Sequence, residues 1–249
     1  MIKIALTTDS HYGHSKNTHK IHEKFLKRLN LAIKADDVKV LIHTGDWISY
    51  KQDQLERTLK MFRKYIDIPI VCVRGNHDLW QYDKRNDGRK LTLMELDEQH
   101  NKWFKENDIH HLENGPFIVD DVIIVGFDGW YNMCYPPTND AEHMKSNVEG
   151  VPTMVYLSGK TYSKLDNLLQ IDLSCYRSSV MVTHHPPFTE DVQYLDYCAN
   201  PNYFQPIKDK FDAFCTGHSH HYWNESQDNC LILNAGSDYD KPRYTIFEV

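Results

Sequence analysis

The sequence predicts an α/β fold, read as a single domain spanning residues 1–249. Three observations predict it. Short apolar runs rich in β-branched residues recur along the chain, helical patterns separate the early ones, and each run ends in polar or glycine-rich sequence. A chain of 249 residues can bury a full core as one domain.

The first run, Ile2–Leu6, is a buried strand by length and composition, and Val38–Ile42 and Ile70–Val73 follow it. Between the first two, Ile21, Phe25, Leu29 and Ile33 fall four apart, the spacing of one helix face. Between the second and third, Leu55, Leu59 and Phe62 do the same at three to four residues. Strand–helix–strand alternation of this kind argues for parallel pairing. The later runs, Val122–Val125, Val180–Val182, Phe211–Cys215, Leu231–Leu233 and Tyr244–Phe247, include close neighbours that suggest some antiparallel pairing. Two stretches break the pattern. Residues 129–159 are rich in Tyr, Pro, Asn and Gly, and residues 186–206 carry Tyr194, Tyr197, Tyr203 and Phe204. Both read as long irregular segments, either functional loops or surface insertions.

Composition excludes several classes. Net charge is −7, so no global basic field attracts nucleic acid. A local basic stretch, Lys84-Arg85 with Arg89-Lys90, reads first as a solvated loop. Cys72, Cys134, Cys175, Cys198, Cys215 and Cys230 show no CxxC spacing, and most sit beside apolar strand residues. They read as small buried hydrophobes in a reducing compartment. The chain enters a strand at once and holds no apolar run of bilayer length. A cytoplasmic protein without a membrane partner is the expectation.

Every strongly polar cluster follows a predicted strand. Leu6 leads to Asp9-Ser10-His11, Ile42 to Gly45-Asp46, and Val73 to Gly75-Asn76-His77-Asp78. Val182 leads to His184-His185-Pro186, and Cys215 to Gly217-His218-Ser219-His220. Sites in open α/β sheets form beyond the carboxyl ends of strands, so five distant clusters can converge. Two carboxylates, an amide oxygen and four imidazoles suit divalent transition ions, and no thiolate joins them as in a structural zinc knot. Seven ligands exceed the need of one tetrahedral ion, and one bridging carboxylate makes the number sensible for two. The D-x-H and H-x-H spacings would place side chains on one side of an extended segment. Gly45 and Gly75 would let the backbone turn sharply beside Asp46 and Asn76. Each piece alone has an ordinary reading as a turn or a satisfied histidine, but five in this order do not.

The order D-x-H, G-D, G-N-H-D, H-H-P, G-H-x-H resembles the calcineurin-like metallophosphoesterase superfamily, over residues 9 to 220. The ending Asn234-Ala235-Gly236-Ser237 is similar to that family's as well. The resemblance implies a four-layer αββα sandwich, two mixed β-sheets face to face with helices outside. It implies two divalent ions, Mn²⁺ foremost, with Fe, Zn²⁺, Ni²⁺ or Co²⁺ as alternatives. The first ion would take Asp9, His11, Asp46 and His220, and the second Asp46, Asn76, His184 and His218. In the doublet His184 is the ligand, directly off the strand, and His185 an accessory or lining residue. His77 matches the family's catalytic histidine that does not bind metal, and Asp78 the acid that orients it.

The implied reaction is phosphoester hydrolysis by a hydroxide bridging the ions, with a small phosphoester or nucleotide as substrate. Protein Ser/Thr phosphatases carry an arginine soon after Gly-Asp. Trp47-Ile48-Ser49-Tyr50 stands here instead, and the third motif ends in Asp78, which resembles the phosphodiesterase branch. An exonuclease-like DNA-processing enzyme and a non-catalytic scaffold on the same fold are the alternatives. Trp80, Tyr82, Trp130, Tyr131 and Tyr222 could stack on a substrate base or serve as packing.

Overall fold

The computed structural model describes residues 1–49, 51–80, 91–129, 153–186 and 204–249. The chain runs β1 (Lys3–Thr7), α1 (Thr18–Asp36), β2 (Val40–His43), α2 (Asp53–Tyr65), β3 (Ile70–Cys72), α3 (Leu93–Glu106), β4 (Ile109–His111), β5 (Phe117–Val119) and β6 (Val122–Gly126). It continues α4 (Thr153–Leu169), β7 (Ser178–Val182), α5 (Phe204–Lys210), β8 (Ala213–Cys215), β9 (Tyr222–Gln227), β10 (Cys230–Ala235) and β11 (Tyr244–Glu248). Single 3₁₀ turns lie at His77–Leu79 and Leu112–Asn114.

Two mixed sheets form. One is ordered β11-β1-β2-β3-β4, the other β5-β6-β7-β8-β10-β9. β1 to β4 are parallel with β11 antiparallel at the edge. β6, β7, β8 and β10 are parallel, and antiparallel β5 and β9 close the two sides.

Alternation along the strands explains the layering, since successive side chains face opposite ways. Ile4, Leu6, Val40, Ile42, Val71 and Val73 point into one buried cluster with Val122, Ile124, Val180, Val182 and Leu233 of the other sheet. The intervening Ala5, Leu41 and Cys72 join Phe25, Leu29, Leu55, Leu59, Phe62 and Phe104 of α1, α2 and α3. Ile123, Val125, Met181 and Phe214 meet Leu165 and Ile207 of α4 and α5. The result is the four-layer αββα sandwich.

The predicted strands are all present. The sequence reading missed β4, β5, β9 and α3. Residues 153–159 and 204–206, expected to be irregular, are helical, since α4 begins at Thr153 and α5 at Phe204. Residues 130–152 and 187–203, with Trp130, Tyr131, Tyr194, Tyr197 and Tyr203, lie outside the described residues, as do Tyr82, the basic stretch 84–90, Cys134 and Cys198. Cys72, Cys215 and Cys230 are buried and free, as expected, whereas Cys175 is exposed. No described helix is long and apolar enough to cross a membrane.

Candidate metal centre

The five polar clusters leave the carboxyl ends of β1, β2, β3, β7 and β8, all parallel strands whose ends share one rim of the sandwich. The loops after β1 and β2 are zipped together by backbone bonds from Asp9 N to Gly45 O (3.0 Å), His11 N to Asp46 O (2.9 Å) and Tyr12 N to Trp47 O (3.0 Å). Glycines allow this approach. Gly45 has φ +97°, and a Cβ there would stand 2.6 Å from Gly75 N and 2.7 Å from His184 Nδ1. A Cβ on Gly75 would collide with the Asp46 carboxylate. Asn234 ties the end of β10 to the same rim, donating from Nδ2 to Gly217 O (3.0 Å).

One expectation is corrected here. Asp9 and His11, and likewise His218 and His220, are not on extended segments. Their φ values of 45°, 43°, 66° and 57° place them in left-handed turns past the strand ends. The pairs converge because the turns curl inward over the rim.

The structure brings all seven predicted residues together. The Asp46 carboxylate lies between two imidazoles, its Oδ2 3.6 Å from His11 Nε2 and 3.4 Å from His184 Nε2. His220 Nε2 stands 3.1 Å from His11 Nε2 and 3.5 Å from Asp9 Oδ1. Asn76 Oδ1 stands 3.1 Å from both His184 Nε2 and His218 Nδ1. The His218 N–H donates to the Asp9 carboxylate at 3.0 and 3.1 Å. His77 and His185 also reach ligand distance, His77 with His11 and Asp46, His185 with His184 and His218.

The donor set fits divalent ions. His184 Nδ1 donates to Thr44 O at 2.7 Å, so a neutral ring turns its Nε2 lone pair toward Asn76 Oδ1 and Asp46 Oδ2. Acceptors facing acceptors in a buried site call for a cation between them. Burial pushes His11 and His218 well below the ordinary histidine range, which leaves neutral rings with lone pairs to offer. Burial opposes a charge on His184 too, but the Asp46 and Asp9 carboxylates outweigh it and push the ring up to about 9. Burial alone would raise Asp46, yet His184 and then His77 hold its carboxyl well below the usual range.

Asp78 does not set the His77 tautomer as expected. His77 Nδ1 is bonded to Ser49 O at 2.8 Å. The Asp78 carboxylate accepts instead from the backbone of Trp47 (2.9 Å), Ile48 (3.3 Å) and Gly75 (2.8 Å). Burial, with the Asp46 charge behind it, pushes Asp78 up to about 8. Asp78 therefore shapes the loops that carry Asp46 and Asn76.

Three further groups escaped the sequence reading. Asp238 Oδ1 stands 3.3 Å from His220 Nδ1, the carboxylate–histidine pairing that fixes a ligand ring. The Tyr239 ring lies 4.3 Å from His11 and 5.1 Å from His220. Both follow Asn234-Ala235-Gly236-Ser237, the signal that could have found them. The third is a buried pair, Arg74 and Asp128, with Arg74 Nη2 2.7 Å from Asp128 Oδ2. Of the aromatics singled out, Trp80 packs on His77 with ring centroids 3.6 Å apart, and Tyr222 is exposed.

A family model described as Calcineurin-like phosphoesterase matches residues 2–222. The fold is similar to the crystal structure of a phosphopantetheinyl hydrolase from Mycobacterium tuberculosis, with 15% identity, TM-score 0.66, and 98% of this chain and 95% of that one covered. It is also similar to a putative 5'-nucleotidase from Staphylococcus aureus solved with alpha-ketoglutarate, at 14% identity and TM-score 0.58. That match covers 99% of this chain and 51% of the other. A dimetal phosphatase from Danio rerio shares 11% identity and TM-score 0.50, over 93% of this chain and 86% of that one. No curated protein matches.

Proposed function

The chain belongs to the calcineurin-like phosphoesterase family, and we propose that it is a hydrolase of phosphodiesters that works with two divalent ions. The observation that carries the reading is Asp46, whose one carboxylate oxygen lies within 3.6 Å of imidazoles on either side. Asp9, His11 and His220 would complete one ion's ligands with Asp46, and Asn76, His184 and His218 the other's. His184 is favoured over His185 because its Nε2 meets both Asn76 and Asp46. Bound there, two ions supply an activated water and draw charge from the phosphoryl group.

The chain's own residues hold and orient. Asp238 steadies His220, Thr44 steadies His184, and Asp78 fastens the loops. His77 would protonate the departing oxygen, with Ser49 O accepting from its Nδ1 in either charge state. The preference for diesters rests on charge. A monoester dianion calls for a fixed cation directly at the ions, as an arginine after Asp46 would supply, but that segment offers Trp47, stacked on His43. The neighbouring Arg74 guanidinium is occupied by Asp128 and Asp97.

Metal removal tests this reading. Chelated protein should lose hydrolysis of bis(p-nitrophenyl) phosphate and regain it with Mn²⁺. Asp46→Asn should lower occupancy at both positions together. Full activity in verified metal-free protein would sink the mechanism, and wild-type rates faster on monoesters than on every diester would overturn the substrate class.

A further inference from the structure

Beside the metal centre the described residues form a second concavity, of about 750 Å³. Arg28 of α1, Tyr222 at the start of β9, and Lys241, Arg243 and Tyr244 before and in β11 line it. Buried Phe25, with its ring centroid 6.2 Å from that of Tyr244, supplies an apolar side. The volume is that of a small-molecule site.

Its chemistry is unlike the rest of the molecule. In a chain of net charge −7, three exposed cations converge on one cleft. Among the described residues Arg28 and Arg243 have no carboxylate within ion-pair distance, and Lys241 has Asp238 at 3.8 Å. Tyr222 lines the cleft and is 53% exposed. One carboxylate links the cleft to the metal centre. The Asp238 carboxylate that Lys241 approaches is the same one that stands 3.3 Å from His220 Nδ1.

We propose that this cleft binds the part of the substrate beyond the scissile ester, and that this part is a nucleoside monophosphate. Arg28, Lys241 and Arg243 would hold the phosphate, the two guanidinium forks suiting its oxygens. Tyr222 would take the base on its ring face, as aromatic platforms do. The proposal rests on the phosphodiester reading above and names its substrate class.

Calorimetric titration of metal-free protein with AMP, adenosine and inorganic phosphate tests it. AMP should bind at least about tenfold tighter than either fragment, and Arg28→Glu and Arg243→Glu should each weaken it by about tenfold or more. Arg243→Lys should retain most of the binding, and melting temperatures confirm that each variant is folded. Equal affinity for AMP and adenosine overturns the proposal. So does AMP binding that survives both reversals, which would place the nucleotide at the histidine cluster. Metal-free protein turns nothing over, so a failed hydrolysis assay sinks the reaction while this titration still judges the cleft.

Discussion

Asp9, His11, Asp46, His218 and His220 all hold φ between 43° and 66°, a region that residues with side chains seldom adopt. Each such residue costs on the order of 1–3 kcal/mol and persists only where its surroundings over-determine it. Here the backbone bonds of the zipped loops do so, and a cation shared by the ligands would offset the cost. His77 presents a different residue-scale question. Its Nδ1 is committed to Ser49 O, so Nε2 is the atom with a transferable proton. If that proton goes to the leaving oxygen, losing it matters most where the leaving group is a poor one. His77→Ala should keep its metals and lose little on an aryl diester, yet fall by about 10²–10⁴-fold on an alkyl or nucleotide diester. Equal losses on both would assign His77 to stabilising phosphoryl charge instead.

Turns, more than strands, place the chemistry at the scale of elements. The strands end on one rim, and the geometry is then decided by how closely the following loops approach. Gly45 and Gly75 stand back to back between the β2 and β3 loops, where either Cβ would strike a neighbour. Gly45→Ala should therefore combine a dihedral penalty of about 1–3 kcal/mol with a displacement of Asp46 and His184. Gly115→Ala separates the two effects, since Gly115 has φ +136° but nothing within 4 Å of an added Cβ. Gly45→Ala should melt lower and lose metal, while Gly115→Ala should melt lower with metal content unchanged. Metal retention in Gly45→Ala would show that the loops have slack.

At the scale of the whole molecule, a buried arginine–aspartate pair joins the two sheets next to the site. Arg74 leaves β3 in the first sheet, Asp128 leaves β6 in the second, and their side chains are buried against each other. Arg74 N also donates to Asp128 Oδ1 at 2.7 Å, and His111 Nε2 lies 2.9 Å from the same oxygen. His184 N bonds to Asp128 O, so this junction holds the loops of Asn76 and His184 in register. Burial alone would raise Asp128, but the Arg74 guanidinium and then His111 outweigh it and hold the carboxyl well below the usual range. A depressed carboxylate contributes stability above its unfolded value of about 3.9 and loses it as pH falls through the folded value. Asp128→Asn should cost up to about 3–5 kcal/mol at pH 7, because the buried Arg74 guanidinium loses a fully buried carboxylate and keeps Asp97, which is one-third exposed. Denaturant midpoints should show the gap to wild type narrowing below about pH 4. A gap independent of pH would mean that the pair adds nothing through its charge.

The sequence by itself determined the eight principal strands, the first two helices and the candidate ligands, because periodicity and motif order are local properties. Strands that are very short or carry little apolar signal stayed hidden. β4 reads Ile-His-His, β5 is three residues long, and β9 is a mostly exposed edge strand. Helix α3 carried a legible start, the capping box of Thr92 and Glu95, that the apolar pattern did not announce. Only the tertiary structure decided that Asp46 sits between His11 and His184, that Asp78 bonds to backbone N–H groups, and that Asp238 meets His220. It alone decided that Arg74 pairs with Asp128 and that Arg28 and Arg243 line one cleft. These contacts join residues set on one rim by strand order and by turns in unusual conformations. Neither side-chain type nor spacing records which loops meet there, because that depends on which strands lie side by side.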